Sequence, residues 1–449
     1  MNAVLNTRAL ASAGAFTGRF AAAARAGRPV KRAALSLIAA VVLGAVWANG
    51  AAAQEDTLRA ADAVRTALDA NPMLKAARYS ATAAAHRVGP AGSLPDPHLQ
   101  FGKFNHLISA YGTNSMEMTE TMLMQMVPWP GKLSSARSAA RHTARAVSAD
   151  AEEQARMLAA QVRMAYYDLA YSDRALDVMR RTQGLLRQFL DVSTTMYAVG
   201  SAAQQDVLRA QVEVTLMRED ITRMEQDRVA GALRLNALMG RDAMTPIGAV
   251  ELPEPRGDLP EADSLVARAL DGRPAVRAAA ERVAAAEASL TTAHRWLIPD
   301  LQLGFAAARG PILGDLLVSF SVGVDVPIFA GSKQLAMSRE ATAMREMSEA
   351  ELLNRRNETA ARIIETRARA VRDRNLARMH RTSIVPQARA TVQASLASYR
   401  VGRVSFMQLI DNQMTVNRHE TEAYRLISDY HQAVADLEAL VGQPLEEQP

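Results

Sequence analysis

The chain has 449 residues, 49% of them hydrophobic and only 5% aromatic, a balance that supplies a large core and favours long helices over a β-rich globule. It contains no cysteine, which excludes disulfides, thiolate metal sites, a cysteine nucleophile and a lipidated N-terminal cysteine. The formal charge of +5 is not a nucleic-acid signal, because residues 1–53 hold six basic residues and no acid, leaving 46 basic against 47 acidic residues in the remainder.

The N-terminal segment has the layout of a signal peptide: a basic run Arg28 to Arg32, an apolar stretch Ala33 to Ala48, and the small-residue exit Ala51-Ala52-Ala53 before Gln54. Cleavage after Ala53 is predicted. The competing reading is an anchor helix, for which the apolar run is short. No later stretch has the roughly 18 uninterrupted apolar residues of a membrane helix, so any membrane entry must use β-strands.

An internal repeat organises the rest of the chain. ALDANPMLKAA (Ala67 to Ala77) matches ALDGRPAVRAA (Ala269 to Ala279), and MYAVGSAAQQDVLRAQ (Met196 to Gln211) matches SYRVGRVSFMQLIDNQ (Ser398 to Gln413), both at an offset of 202. The same offset pairs LNALMG (Leu235 to Gly240) with LEALVG (Leu437 to Gly442), and Gly184 with Pro386. Five segments result: a signal peptide 1–53, a first repeat 54–251, a Pro- and Gly-containing linker 252–263, a second repeat 264–443 and a tail 444–449.

Each repeat opens on a short helix pair, with Pro72 or Pro274 in the first turn of the second helix. Two strands come next: His98 to Asn105 with Ser115 to Val127, and Asp300 to Ala308 with Leu316 to Val326. Val318, Phe320, Val322, Val324 and Val326 alternate with Ser319, Ser321, Gly323 and Asp325, which predicts one apolar and one small or polar face. Met116, Met118, Met122, Met124 and Met126 share one face of their strand, with Glu120 the exception, and Glu117, Thr119, Thr121, Leu123 and Gln125 share the other. As the more apolar face it is expected to meet lipid; a soft-metal role is the competing reading.

Beyond the first strand pair no proline occurs from Gly131 to Thr245, and the one strong turn signal is Tyr197 to Gly200. Two helices of about 60 and 40 residues, roughly 90 and 60 Å long, are expected there. Val214, Met217, Ile221 and Met224, and in the second repeat Leu426, Tyr430, Ala433, Leu437 and Leu440, give them a coiled-coil-like seam.

Four strands cannot close a barrel, and an open sheet edge is not tolerated in lipid; three copies would supply about twelve strands. Tandem halves, the strand exits Pro128-Trp129-Pro130-Gly131-Lys132 and Pro327-Ile328-Phe329-Ala330-Gly331-Ser332-Lys333, and the Tyr-x-x-Gly tips together resemble the TolC-like outer membrane efflux proteins. The resemblance covers essentially Gln54 to Gln443. It implies a mainly α protein with membrane β: a homotrimeric β-barrel of four strands per chain in the outer membrane of a Gram-negative bacterium, continuous with a periplasmic α-barrel. It also implies a passive exit duct for an inner-membrane transporter, bridged by a periplasmic adaptor.

The resemblance assigns the tips to the periplasmic entrance and to adaptor docking, through Val199, Gly200 and Ser201 on one tip and Val401 and Gly402 on the other. Gate residues are expected on the second tip: Asp411 and Gln408, at the family's acidic-ring positions, with Arg403 and Tyr399 beside them. A solvated helix-face aspartate is the competing reading for Asp411. Asp206, Gln204 and Gln205 on the first tip could face the adaptor, with no basis for choosing among them. Trp129 and Phe329 at the strand exits are expected membrane-interface anchors.

For catalysis there is no Gly-rich phosphate loop, no HExxH and no GxSxG; the eight histidines show no ligand spacing, and no cofactor or nucleic acid is expected. His419 sits at the seam position of Met217, where packing explains it. A periplasmic coiled-coil scaffold without a pore would share the helices but not need the alternating strands. The PWPGK exit and methionine-rich strand are similar to those of copper- and cation-export relatives; small drugs, and a type I protein secretion duct, are the other substrate readings.

Overall fold

The computed structural model describes residues 58–104, 118–309, 316–443 and 445. The signal-peptide layout, the cleavage position, Met116 and nearly all of the tail lie outside them.

The first repeat opens with α1 (Ala60–Ala70) and α2 (Pro72–His86), then the one-turn α3 (Val88–Ala91). Pro72 occupies the first helical turn, where its missing N–H costs nothing, and Asn71 Oδ1 accepts the N–H groups of Met73 and Leu74 at 2.9 and 3.1 Å. The second repeat opens likewise with α6 (Ala262–Gly272) and α7 (Pro274–Arg295).

The long helices are α4 (Lys132–Ala198, 67 residues) and α5 (Gln204–Leu238, 35 residues). Their counterparts are α8 (Gln334–Met379), a π-turn at His380–Ile384, α9 (Val385–Arg400) and α10 (Phe406–Val441). Gly184 leaves α4 unbroken, whereas Pro386 is the second residue after the π-turn. A proline cannot donate to the carbonyl four residues back and collides with it, and widening the preceding turn relieves both faults. The predicted seam is buried at Met217 and Ile221, with Val214 and Met224 partly so, and Leu426, Tyr430, Ala433, Leu437 and Leu440 are all in the core. His380 joins His419 there, ring centroids 5.2 Å apart.

Segment 252–263 is no loose tether. Leu252 and Leu259 are buried, and the Pro253 carbonyl lies 2.8 Å from His431 Nε2.

Strands β1 (His98–Phe104), β2 (Met118–Val127), β3 (Leu301–Arg309) and β4 (Leu316–Val324) form one antiparallel sheet in the order β1-β2-β3-β4, so the hairpin of each repeat joins its twin through β2 and β3. Directly opposed residues share a face, and the register sorts every side chain. Leu123 lies opposite Leu99 and Phe305, and Phe305 opposite Phe320. That face continues through Phe101, Leu303, Val318, Val322 and Val324, all exposed.

The methionines are on the other face. Met122 is opposite Gln100 and Ala306, Met124 opposite His98 and Gly304, Met126 opposite Gln302, and Glu120 opposite Gly102 and Ala308. One strand further on, the same face carries Ser319, Ser321 and Gly323 of β4, opposite Ala306, Gly304 and Gln302. The methionine face is therefore the small and polar side of the sheet, not the continuous apolar side expected of it. Periodicity divides a strand into two faces, but the register with its neighbours decides which face is which. Judged alone, β2 is most apolar on its methionine side; judged as a sheet, the continuous aliphatic and aromatic surface is the opposite one.

Candidate functional site

Both helix-to-helix tips close by one mechanism. Gly200 (φ 76°) and Gly402 (φ 69°) take the left-handed conformation that a side chain disfavours. The Ser201 N–H then returns to the Met196 carbonyl at 2.8 Å, and the Arg403 N–H to the Ser398 carbonyl at 2.9 Å. Val199 and Val401 are left 71% and 67% exposed, one apolar side chain at each apex.

Below the apices lies a shared core that contains Leu186, Phe189, Met217, Leu409 and Ile410. Tyr399 is buried in it against Phe406, ring centroids 5.3 Å apart, and its hydroxyl reaches Asp206 Oδ2 on the other hairpin at 3.4 Å. Burial, the Asp206 charge and that hydrogen bond push the Tyr399 hydroxyl up to about 12, so it stays protonated and the contact persists at ordinary pH.

The residues singled out on the second tip thus separate. Tyr399 links two hairpins from inside, whereas Gln408, Asp411 and Arg403 are exposed. Gln408 Nε2 donates to Asn412 Oδ1 (3.2 Å), and Asn412 Nδ2 to Ser395 Oγ (2.7 Å), tying α10 to α9. Among the described residues Arg403 and Asp411 make no ion pair within the chain. Sequence reasoning left Asp206 unchosen and missed Asn412 and Ser395. Asp206 occupies the repeat position of Gln408, and a carboxylate at one and an amide at the other was the available signal.

At the strand exits Trp129 is 41% and Phe329 69% exposed. Beside Trp129, the buried Lys132 donates through Nζ to Asp300 Oδ1 and to the Ile298 carbonyl, each at 2.7 Å, and lies 5.1 Å from the Trp296 ring centroid. Asp300 Oδ1 also accepts the Trp129 N–H at 2.8 Å. This lock between first exit and second hairpin was not foreseen, though Lys132 stood in the PWPGK motif.

Among the described residues no helix is long and apolar enough to cross a membrane, and no three His, Asp or Glu side chains gather as a metal site. A family model described as outer membrane efflux protein matches residues 63–241 and again 265–443, the second window beginning and ending 202 residues after the first. The chain belongs to the outer membrane efflux protein family.

It is 26% identical over 286 residues to nodulation protein T of Rhizobium leguminosarum bv. viciae, a match spanning 60% of this chain and 58% of that protein. Its fold is that of CusC, a transmembrane channel, with a TM-score of 0.77 at 15% identity over 86% of this chain and 93% of that one. VceC, an outer membrane protein of Vibrio cholerae, superposes with a TM-score of 0.73 at 16% identity over 86% and 97% of the two chains. The fold is accordingly TolC-like, with one family match inside each repeat.

Proposed function

We propose that the protein is the outer membrane exit duct of a tripartite efflux system, a homotrimer whose periplasmic tips are opened by an adaptor and an inner-membrane transporter. One observation carries this: a four-stranded sheet with an exposed apolar face and, among the described residues, unpaired edges at β1 and β4, joined to helices up to 67 residues long. Neither the face nor the edges is satisfied in a single copy. Closure with two further copies satisfies the edges, and outer membrane lipid satisfies the face. A soluble coiled-coil scaffold would leave both exposed.

In this reading Val199, Gly200, Ser201, Val401 and Gly402 meet the adaptor, Trp129 and Phe329 sit at the membrane interface, and Asp411 with Gln408 and Arg403 lines the entrance. The shared tip core and the Tyr399–Asp206 contact hold the two hairpins together in the closed state, and the partners shift the population towards the splayed one. The exported substrate is of the heavy-metal or the small-drug class.

Planar-bilayer conductance and mobility in unheated gels test the reading. A heat-sensitive trimer from outer membrane fractions that forms single channels is expected, with cation selectivity reduced in Asp411→Ala. Recovery as a soluble periplasmic monomer would sink it.

A further inference from the structure

On the face of the sheet opposite the lipid-type surface, a run of thioethers sits among Gly, Ala, Ser and Gln. Were methionine serving only as a hydrophobe, its place would be with Phe101, Leu123, Phe305 and Phe320, and the register puts it elsewhere. We propose that His98 and the thioethers of Met122, Met124 and Met126 form a binding site for a soft monovalent cation, Cu(I) or Ag(I), on the lumen wall of the barrel. The proposal rests on the duct reading, because it needs this face to be wet.

The register assembles the ligands. His98 is the direct cross-strand partner of Met124, which brings their Cβ atoms to about 5 Å, and Met122 and Met126 flank the pair diagonally, within reach of long side chains. On its other side Met124 meets Gly304, where even a Cβ would strike Ser321 Oγ, so no side chain from β3 covers the sulfur. Met122 faces Ala306 across the same strand boundary. Met126 lies opposite Gln302, whose amide is already held by Asp325 at 2.9 and 3.0 Å.

The chemistry selects the ion. Thioether sulfur is a soft, uncharged donor that favours Cu(I) and its analogue Ag(I), and imidazole completes such a set, whereas Mg²⁺ and Ca²⁺ require oxygen cages. Successive methionines on one face lie about 7 Å apart along the strand. A ladder of weak, closely spaced sites lets a cation step along the wall instead of being trapped, the condition for conduction past any binding site.

Equilibrium dialysis of the full chain in detergent against silver nitrate, with bound silver read by mass spectrometry, tests the site. Silver affinity should fall by about tenfold or more in His98→Ala and in the triple variant Met122→Leu, Met124→Leu, Met126→Leu, and leucine keeps the volume so that folding is preserved. Unchanged silver binding in the triple variant would overturn the proposal. The native absence of cysteine permits a second measurement: in liposomes Met124→Cys should react with a charged, membrane-impermeant maleimide while Phe320→Cys is protected, and the reverse pattern would place the methionines in lipid and end the idea. Single-channel conductance separates the two levels. Wild-type channels whose silver binding ignores the triple substitution defeat only the cation site, and a wild type that forms no channel defeats the duct reading itself.

Discussion

The two repeats solve the same structural problems with different atoms. At the start of α2, Asn71 caps its own helix and also donates through Nδ2 to the Leu238 carbonyl at 2.9 Å. The equivalent residue in the second repeat is Arg273, which has no cap to offer. There the Ala275 N–H, counterpart of Met73, is accepted by Glu153 Oε2 from α4 at 3.3 Å. Arg273 holds that carboxylate through Nε and Nη2 at 2.9 and 2.6 Å and reaches Thr359 Oγ1 on α8 at 2.9 Å. A local cap in one repeat has become, in the other, a buried bridge between helices of both repeats. The strand exits diverge in the same way: Lys132 is locked onto Asp300, while Lys333 is exposed on a nine-residue connection from β4 to α8.

If that contrast is right, the counterparts should differ sharply on substitution. Arg273→Ala strands the Glu153 carboxylate among buried groups and should cost about 3–5 kcal/mol, read from the thermal midpoint of helical circular dichroism. Asn71→Ala removes a cap and one further hydrogen bond and should cost about 1–2 kcal/mol. Between them lies the exit pair: Lys132→Ala should cost roughly 3 kcal/mol by unpairing Asp300, and Lys333→Ala should be nearly silent. Equal effects at either pair of counterparts would break the comparison.

What was legible in the sequence was whatever repeats at a fixed interval or a fixed period. The 202-residue offset gives α1 and α6, Ala60–Ala70 and Ala262–Gly272, at matching bounds, and it likewise relates both ends of α4 to the start of α8 and the end of α9. Tyr-x-x-Gly gave the tips because a left-handed glycine is a backbone requirement that one residue type meets. Helix seams at Met217 and Leu437 followed from spacing alone. Three things were not legible, for one reason. The Tyr399–Asp206 contact spans 193 residues, the Lys132–Asp300 lock spans 168, and the methionine face depends on partners in β1 and β3. Each is a property of pairing between distant segments, which local pattern does not carry.

The tips sharpen the comparison at smaller energies. Tyr399 is buried and bonded across hairpins, whereas its counterpart Tyr197 is 46% exposed. Tyr399→Phe keeps the ring against Phe406 and removes only the hydroxyl, a loss of about 1 kcal/mol. It should raise the closed-state conductance, and Tyr197→Phe should not. The pH dependence has a definite sign. Because the folded-state pKa is raised from 10.0 to about 12, the contact is intact below pH 10 and is lost as pH climbs towards 12. Wild-type leak should therefore rise across that window, and the Tyr399→Phe channel, already lacking the contact, should lose this step.

The smallest expected effect lies one turn past each apex. Ser405 caps α10, its Oγ accepting the Gln408 N–H at 3.3 Å, while Ala203 at the same place before α5 makes no side-chain cap. Ser405→Ala should cost about 0.5–1 kcal/mol and Ala203→Ser should gain a similar amount. Neither change should move a global melting curve much, since helix ends open locally before the rest unfolds. Amide hydrogen exchange resolves them: protection of the first turn of α10 should fall in Ser405→Ala, and that of α5 should rise in Ala203→Ser. Were both tips to respond alike to the two substitutions, the second tip would owe its order to the core beneath Tyr399 and Phe406, and the serine cap would contribute nothing to the difference between them.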